Sequence, residues 1–245
     1  MEIKINGLKK SFNGKVALDI ENLFIGNGEL VGFVGNNGAG KTTLFRLMLD
    51  LLKADIGHIL FVPKYDDSSA LGPESIDPAQ SEAWKDLTGA YIDDGFLIDF
   101  LTPEEYFEFI GKVCSLSADD IKQRLDEYSI FMSGEILGQK KLIRNLSAGN
   151  KQKIGIIAAL LNRPQLVILD EPFNFLDPSS QNILKKLLAD YNSKTGATIL
   201  VSSHNLQHTI DISSRIVLLE HGFVKKDLGN EMRSAEAELE DYFRV

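Results

Sequence analysis

At 245 residues, with 44% hydrophobic and 25% charged positions, the chain has the balance of a globular protein with a full core, as one large domain or two small ones. A net charge of −9 argues against a general nucleic-acid binder, which usually shows a basic face, so no nucleic acid is expected as a partner. The lone cysteine, Cys114, excludes an internal disulfide and fits a reducing compartment, where it reads as a small buried side chain. The N-terminus has no apolar signal core, and no run of about eighteen apolar residues occurs, so a membrane link is expected to pass through a partner chain.

Residues 2–25 alternate loosely and break at Asn13-Gly14, a strong hairpin signal. Two or three strands of a small antiparallel sheet are therefore expected ahead of residue 35. Phe12 closes the first of them, as a core residue or as a face for a nucleotide base. Leu30-Val31-Gly32-Phe33-Val34 reads as a buried strand, and a helical apolar stretch covers residues 44–52. Between them, Gly35-Asn36-Asn37-Gly38-Ala39-Gly40-Lys41-Thr42-Thr43 matches the phosphate-loop pattern G-x-x-x-x-G-K-[ST]. Glycines let successive N–H groups turn toward a phosphate, and the helix N-terminus adds partial positive charge. Lys41 is then expected on the β- and γ-phosphates, and the Thr42 hydroxyl on Mg²⁺.

Residues 57–62 read as a further strand. Residues 63–83 show no period and carry Asp66, Asp67, Glu74, Asp77 and Glu82 against one base, Lys64, so they read as a mobile acidic surface loop. Thr102-Pro103-Glu104-Glu105 has the form of a capping box with proline at the first helical position. Tyr106, Phe107, Phe109, Ile110 and Val113 are expected as one wide apolar stripe on that helix. A second helix opens at Ser117-Ala118-Asp119-Asp120, with Ile121, Leu125 and Tyr128 on one face. Residues 103–146 thus form a helical insertion in an α/β chain. Two βα units follow, with strands at 166–169 and 197–201 and helices at 178–191 and about 205–213. Continuous apolar strands alternating with helices indicate a mostly parallel sheet with helices on both faces. A hairpin at His221-Gly222 and an amphipathic tail with Ala235, Leu239, Tyr242 and Phe243 on one face close the chain.

The strand at 166–169 delivers Asp170-Glu171 at its carboxyl end, the edge at which open parallel sheets bind ligands. A phosphate-loop enzyme needs one acid for the Mg²⁺ shell and another group to orient or deprotonate water. Asp170 and Glu171 can divide those roles. Ser147 is placed to cap the apolar helix that Pro164 stops.

This set resembles the ATP-binding cassette (ABC) ATPases, the nucleotide-binding subunits of ABC transporters, over nearly the whole chain. Leu146-Ser147-Ala148-Gly149-Asn150 is similar to the family signature LSGGQ, which implies contact with the γ-phosphate of ATP held by the opposite subunit. Asp170-Glu171-Pro172 resembles the family's strand-end pair, implying Mg²⁺ ligation by Asp170 and a general-base role for Glu171. Asn174-Phe175-Leu176-Asp177 resembles the dimer-contact loop, His204 the switch histidine on the γ-phosphate, and Phe12 the aromatic that stacks on adenine. Ala148 and Asn150 depart from the signature's first Gly and final Gln. Asp93 falls where the family has a glutamine near the metal and water, or Asp94 does if one gap is allowed. An ionised aspartate accepts from metal-bound water but cannot donate as an amide does.

The expected fold is an α/β phosphate-loop cassette with an antiparallel N-terminal part, as one domain over residues 1–245. A helical subdomain spans about 103–162, and the tail about 229–245. The resemblance implies ATP and Mg²⁺, a second cassette subunit as homodimer or heterodimer, a separate membrane permease, and a cytoplasmic place at the membrane, with export as the direction. The alternatives are a soluble ABC ATPase outside transport and a nucleotide-gated subunit of weak hydrolysis. His204 and His208 stand four apart but lack the HExxH pattern, and no Asn-Lys-x-Asp motif supports a GTPase.

Overall fold

The computed structural model describes residues 1–64, 74–230 and 233–243, and side chains through residue 239. Among the described residues nine strands form two sheets. The smaller is antiparallel: β1 (Glu2–Phe12) pairs with β2 (Lys15–Ile25) on one side and β4 (Ile56–Val62) on the other. The β1–β2 turn is made by Asn13 and Gly14 at φ 50° and 79°, the left-handed pair that a two-residue hairpin demands. Only two of the three strands precede the phosphate loop. The third, β4, follows it, because the chain returns after α1 (Lys41–Met48) to pair with β1.

The larger sheet has the order β5-β6-β7-β3-β8-β9. Its strands are β3 (Leu30–Val34), β5 (Thr88–Tyr91), β6 (Leu166–Leu169), β7 (Thr198–Ser203), β8 (Arg215–Glu220) and β9 (Phe223–Gly229). All neighbours run parallel except β8 and β9, a hairpin turned by His221 and Gly222 at φ 50° and 88°. Strand residues alternate faces. Val31, Phe33, Leu166, Ile168, Leu200 and Val217 share one core with the smaller sheet and with Leu44, Phe45 and Met48 of α1. Leu30, Val167, Leu169, Ile199 and Val201 face the second core, built from the helical insertion, α5 (Ala148–Leu160) and α6 (Pro178–Thr195). A third cluster joins Val34, Ile216 and Leu218 to Ile210 of α7 (Leu206–Ile212) and to Ala235 and Leu239 of the tail, whose helix α8 spans Glu236–Phe243. The tail therefore packs on its own domain; the side chains of Tyr242 and Phe243 lie outside the described residues.

The insertion contains α2 (Pro103–Val113), α3 (Ala118–Glu127) and the single turn α4 (Ser129–Met132). Both α2 and α3 open with complete capping boxes, at Thr102/Glu105 and Ser117/Asp120. The expected stripe on α2 is split. Tyr106 and Phe107 are buried, but Phe109, to one side of them, and Val113, the last residue of α2, are 46% and 67% exposed. The acidic segment is also corrected in part. Ile76 exchanges backbone hydrogen bonds with Phe61, and Asp77 accepts from Ala79 N–H, so 74–83 is tied to the domain. Asp66 and Asp67 lie outside the described residues. Among the described residues no helix is long and apolar enough to cross a membrane.

Candidate active site

β6, β7 and β3 are adjacent and parallel, so their carboxyl ends share one edge. The phosphate loop leaves β3 there, Asp170-Glu171 leave β6, and His204 follows β7 between them. Sheet topology alone thus gathers three segments spread over residues 35–204 of the sequence.

Two loop glycines have no substitute. Gly35 (φ 153°) and Gly40 (φ 108°) stand where an added Cβ would lie 2.3 Å from the Leu219 carbonyl oxygen and 2.9 Å from that of Ala17. Helix α1 starts directly after Gly40, with no side-chain cap and no acid in its first turn. Its free N–H groups therefore remain for an anion. Lys41 is nearly buried. Its Nζ donates to the Gly35 carbonyl at 2.6 Å and lies 3.5 Å from Glu171 Oε1. A pocket of about 390 Å³ is lined by Phe12, Lys15, Val16, Ala17, Asn37, Gly38, Ala39, Gly40, Lys41, Thr42, Thr43 and Glu171. Phe12 is thus in the phosphate-loop pocket, its ring 47% exposed and carrying the Lys10 ammonium 5.6 Å from its centroid.

Asp170 is 6% exposed. Its two oxygens accept from Ser202 Oγ and from Thr42 Oγ1, the latter at 2.5 Å. Burial holds its carboxyl above the usual range, opposed by the two hydroxyl donors, with Glu171 raising it further and Lys41 lowering it. A cation here would offset that cost. Among the described residues no group of three or more His, Cys, Asp or Glu could hold a metal alone. Mg²⁺ takes one or two protein oxygens and completes its shell with water and substrate phosphates. Thr42 and Asp170 supply hard oxygens of the required kind.

Glu171 lies directly beyond β6 in the left-handed region, φ 48°. A non-glycine residue held there costs about 1–3 kcal/mol and persists only where its surroundings fix it. Here they do. Its N–H donates to Ser202 Oγ at 2.8 Å, and its carbonyl accepts from Gln152 Nε2 at 3.1 Å. One carboxylate oxygen, Oε2, is 2.8 Å from His204 Nδ1 and accepts from the His204 N–H at 3.2 Å. The other faces Lys41. His208 does not join this group. Its ring lies 4.7 Å from that of Phe173.

The remaining expected residues separate into those at the site and those beside it. Asp93 lines a small cavity of about 180 Å³ together with Asp170 and Glu171. Its carboxylate is engaged elsewhere, Oδ1 accepting from Gly95 N–H at 2.9 Å and Oδ2 facing Arg46 at 3.3 Å. Ser147 caps α5 by accepting from Asn150 N–H at 3.2 Å. Ala148 lines the cavity with Asp93. A Cβ on Gly149 would lie 2.7 Å from the Phe175 carbonyl. None of Ser147, Gly149 and Asn150 lines the phosphate-loop pocket of its own chain. Asp177 caps α6, accepting from Ser179 N–H, Ser180 N–H and Ser180 Oγ. Those bonds, the Ser180 hydroxyl first, hold its carboxyl below the usual range. Sequence reasoning missed Ser202, Gln152 and Arg46. Gln152 carried a readable signal, a polar residue two positions before the apolar run of its helix.

A family model described as ABC transporter matches residues 18–174. The chain belongs to this family. The tungstate uptake system ATP-binding protein TupC of Peptoclostridium acidaminophilum is 31% identical over 91% of this chain and 97% of its own. The doxorubicin resistance ATP-binding protein DrrA of Mycobacterium tuberculosis is 30% identical over 95% of this chain and 67% of its own. Among solved structures, cbiO1 of Clostridium perfringens, described as part of the ABC transporter complex cbiONQ, superposes with a TM-score of 0.74 at 26% identity, covering 99% of this chain and 95% of that one. A dimeric ATP-binding cassette in a post-hydrolysis state with ADP and phosphate has the same fold, with a TM-score of 0.78 at 23% identity over 93% of this chain and 98% of that one. The ABC protein described here is accordingly an ATPase subunit of the transporter class, binding and hydrolysing ATP.

Proposed function

We propose that this cassette powers transport through a separate permease by closing with a second cassette over two ATP molecules. The observation that carries the proposal is the convergence of Lys41, Thr42, Asp170, Glu171 and His204 at one sheet edge, beside a pocket that also holds Phe12.

In this reading adenine stacks on Phe12 and the phosphates enter the loop 35–43. Lys41 exchanges the Gly35 carbonyl for the β- and γ-phosphates. Thr42 and Asp170 would hold Mg²⁺, which when bound offsets the charge of the phosphoryl group in transfer. Glu171 takes a proton from the attacking water, and His204, held against Glu171 Oε2, presents its other ring nitrogen to the γ-phosphate. Catalysis then rests on positioning and electrostatics, with little covalent work by the protein. Ser147, Gly149 and Asn150, lying outside their own chain's pocket, serve the ATP of the partner subunit, and the loop ending at Asp177 lies at the contact.

The permease would dock on a groove of about 300 Å³ that Leu51, Phe96, Leu97, Tyr106 and Ile110 help line, next to Asp93. Phe96 there is 54% exposed. Such docking places the chain at the cytoplasmic membrane face. The finer proposal is export, the direction for which the drug-resistance protein is a relative, beside relatives named for uptake. Loss of substrate from loaded cells on energisation would support it, and accumulation would overturn it.

Glu171→Gln tests the central claim. It should keep ATP binding, lower turnover by about 10²–10⁴-fold and shift the protein to an ATP-dependent dimer. A mutant that turns over at the original rate removes Glu171 as the base. One that stays monomeric with ATP at high concentration refutes homodimer closure and points to a different partner cassette.

A further inference from the structure

We propose that Gln152 is a positioning residue for Glu171, and that it ties the backbone of the general base to the helix bearing the signature loop. The inference rests on the reading of Glu171 as that base.

Gln152 is 4% exposed and sits in the second turn of α5, five residues after its cap Ser147. Both ends of its amide are used. Nε2 donates to the Glu171 carbonyl at 3.1 Å, and Oε1 accepts from the Tyr91 hydroxyl at 3.0 Å. Tyr91 is 5% exposed and ends β5, two residues before Asp93. Its ring is fixed against the same helix, since a Cβ on Gly155 would fall 2.1 Å from Tyr91 Cε2. The three groups therefore form a buried relay from β5 through α5 to the residue after Asp170.

The relay meets Glu171 at a backbone that needs holding. With φ at 48°, Glu171 is outside the strand ladder: its N–H donates to the Ser202 side chain, and its carbonyl accepts from the Gln152 side chain and, at 3.2 Å, from the Asn174 N–H of the following turn. An amide that is 4% exposed is costly unless its partners are fixed, whereas a methionine would fill the same volume. The amide earns no packing advantage. What it does is help, with the Asn174 N–H, to set where the Glu171 carbonyl lies, and so where its carboxylate stands relative to His204 and Lys41. A shift of α5, which starts at the signature loop, or of Tyr91, which lines the proposed permease groove, is transmitted to the base through these two hydrogen bonds.

The test uses the full chain with Gln152→Met, Tyr91→Phe and the double variant, beside Glu171→Gln. Gln152→Met should lower kcat by about 10–100-fold, the scale of a catalytic group displaced by a fraction of an ångström to an ångström. ATP affinity should stay within about twofold, since ground-state binding is untouched. Tyr91→Phe removes one oxygen and keeps the ring, so the thermal midpoint should hold while kcat falls by a smaller factor. The double variant should be no slower than Gln152→Met, because both changes cut one relay. An unchanged kcat, a parallel loss of kcat and affinity, or additive losses would each overturn the proposal. If Gln152→Met fails to fold, Tyr91→Phe decides alone by the same criteria. Should Glu171→Gln lose turnover while Gln152→Met keeps it, the relay fails and the base stands. Should Glu171→Gln keep turnover, the base fails and the relay with it.

Discussion

Truncating Phe12 separates a base platform from a core residue. Phe12 is 47% exposed and closes β1 at the hairpin, so it buries only about half of its surface. Full burial of such a side chain is worth about 1.5–3 kcal/mol, so Phe12→Ala should cost roughly 1 kcal/mol of stability. Lys10 keeps its other partner, Asp55, at 2.8 Å. Base stacking on an aromatic ring contributes about 1–3 kcal/mol, which at tenfold per 1.4 kcal/mol predicts ATP binding weaker by about 5–150-fold. Titration with ATP and with inorganic triphosphate, which has no base, distinguishes the causes. Only ATP affinity should fall. Equal losses for both ligands would mean that the phosphate loop was disturbed, and an ATP affinity within about twofold of the original would return Phe12 to a purely structural role.

Three further outcomes follow from the same geometry. Burial, followed by the positive charge of Lys185, holds His208 below its ordinary 6.5. The unfolded chain therefore binds that proton more tightly, and stability falls as pH drops through 6.5 toward the folded value. His208→Leu should flatten the dependence of the thermal midpoint between about pH 7 and pH 5, and an unchanged slope would assign it to other groups. Asp93→Asn can still cap the turn at Gly95 but loses its charge opposite Arg46, an exposed pair worth about 0.2–1 kcal/mol. Its effect should appear in Mg²⁺ dependence or permease-stimulated turnover; if neither changes, the carboxylate is only a loop cap. Phe96→Glu should weaken co-purification with the permease at unchanged thermal midpoint, and full retention would move the docking surface elsewhere.

The phosphate loop and the acid pair were legible because their chemistry is local. Residues 35–43 need particular glycines, one lysine and one hydroxyl in fixed order, and Asp170 and Glu171 need only an apolar strand before them. Caps and turns were legible for the same reason, as at Thr102, Ser117 and Asn13-Gly14. Strand order was not. Nothing near Ile56 reveals that this strand pairs with Lys9 and its neighbours, or that β7 lies between β6 and β3. Residues that act through long-range hydrogen bonds were hidden too. Ser202 looks like any serine at a strand end, yet it bridges the Asp170 carboxylate and the Glu171 N–H. On α2, apolar content was mistaken for a single face. Val113 stands seven residues after buried Tyr106, on the same side of the helix, yet as the last residue of α2 it is exposed, which spacing alone does not reveal.

The placement of α5 gives these parts a common lever. Its first turn carries Ser147, Gly149 and Asn150, proposed to reach the partner's ATP, and its next turn carries Gln152 against this chain's own Glu171. A helix is stiff over two turns, so these two duties cannot be performed independently. Seating the signature loop on the partner's γ-phosphate moves the amide that holds the Glu171 carbonyl, and disturbing Glu171 moves the signature loop. Coupling free energies are reciprocal. ATP at one site should therefore strengthen the alignment of the base at the other, so a change that loosens Gln152 should lower turnover of the paired cassettes while ATP binding to the open, unpaired cassette stays unchanged.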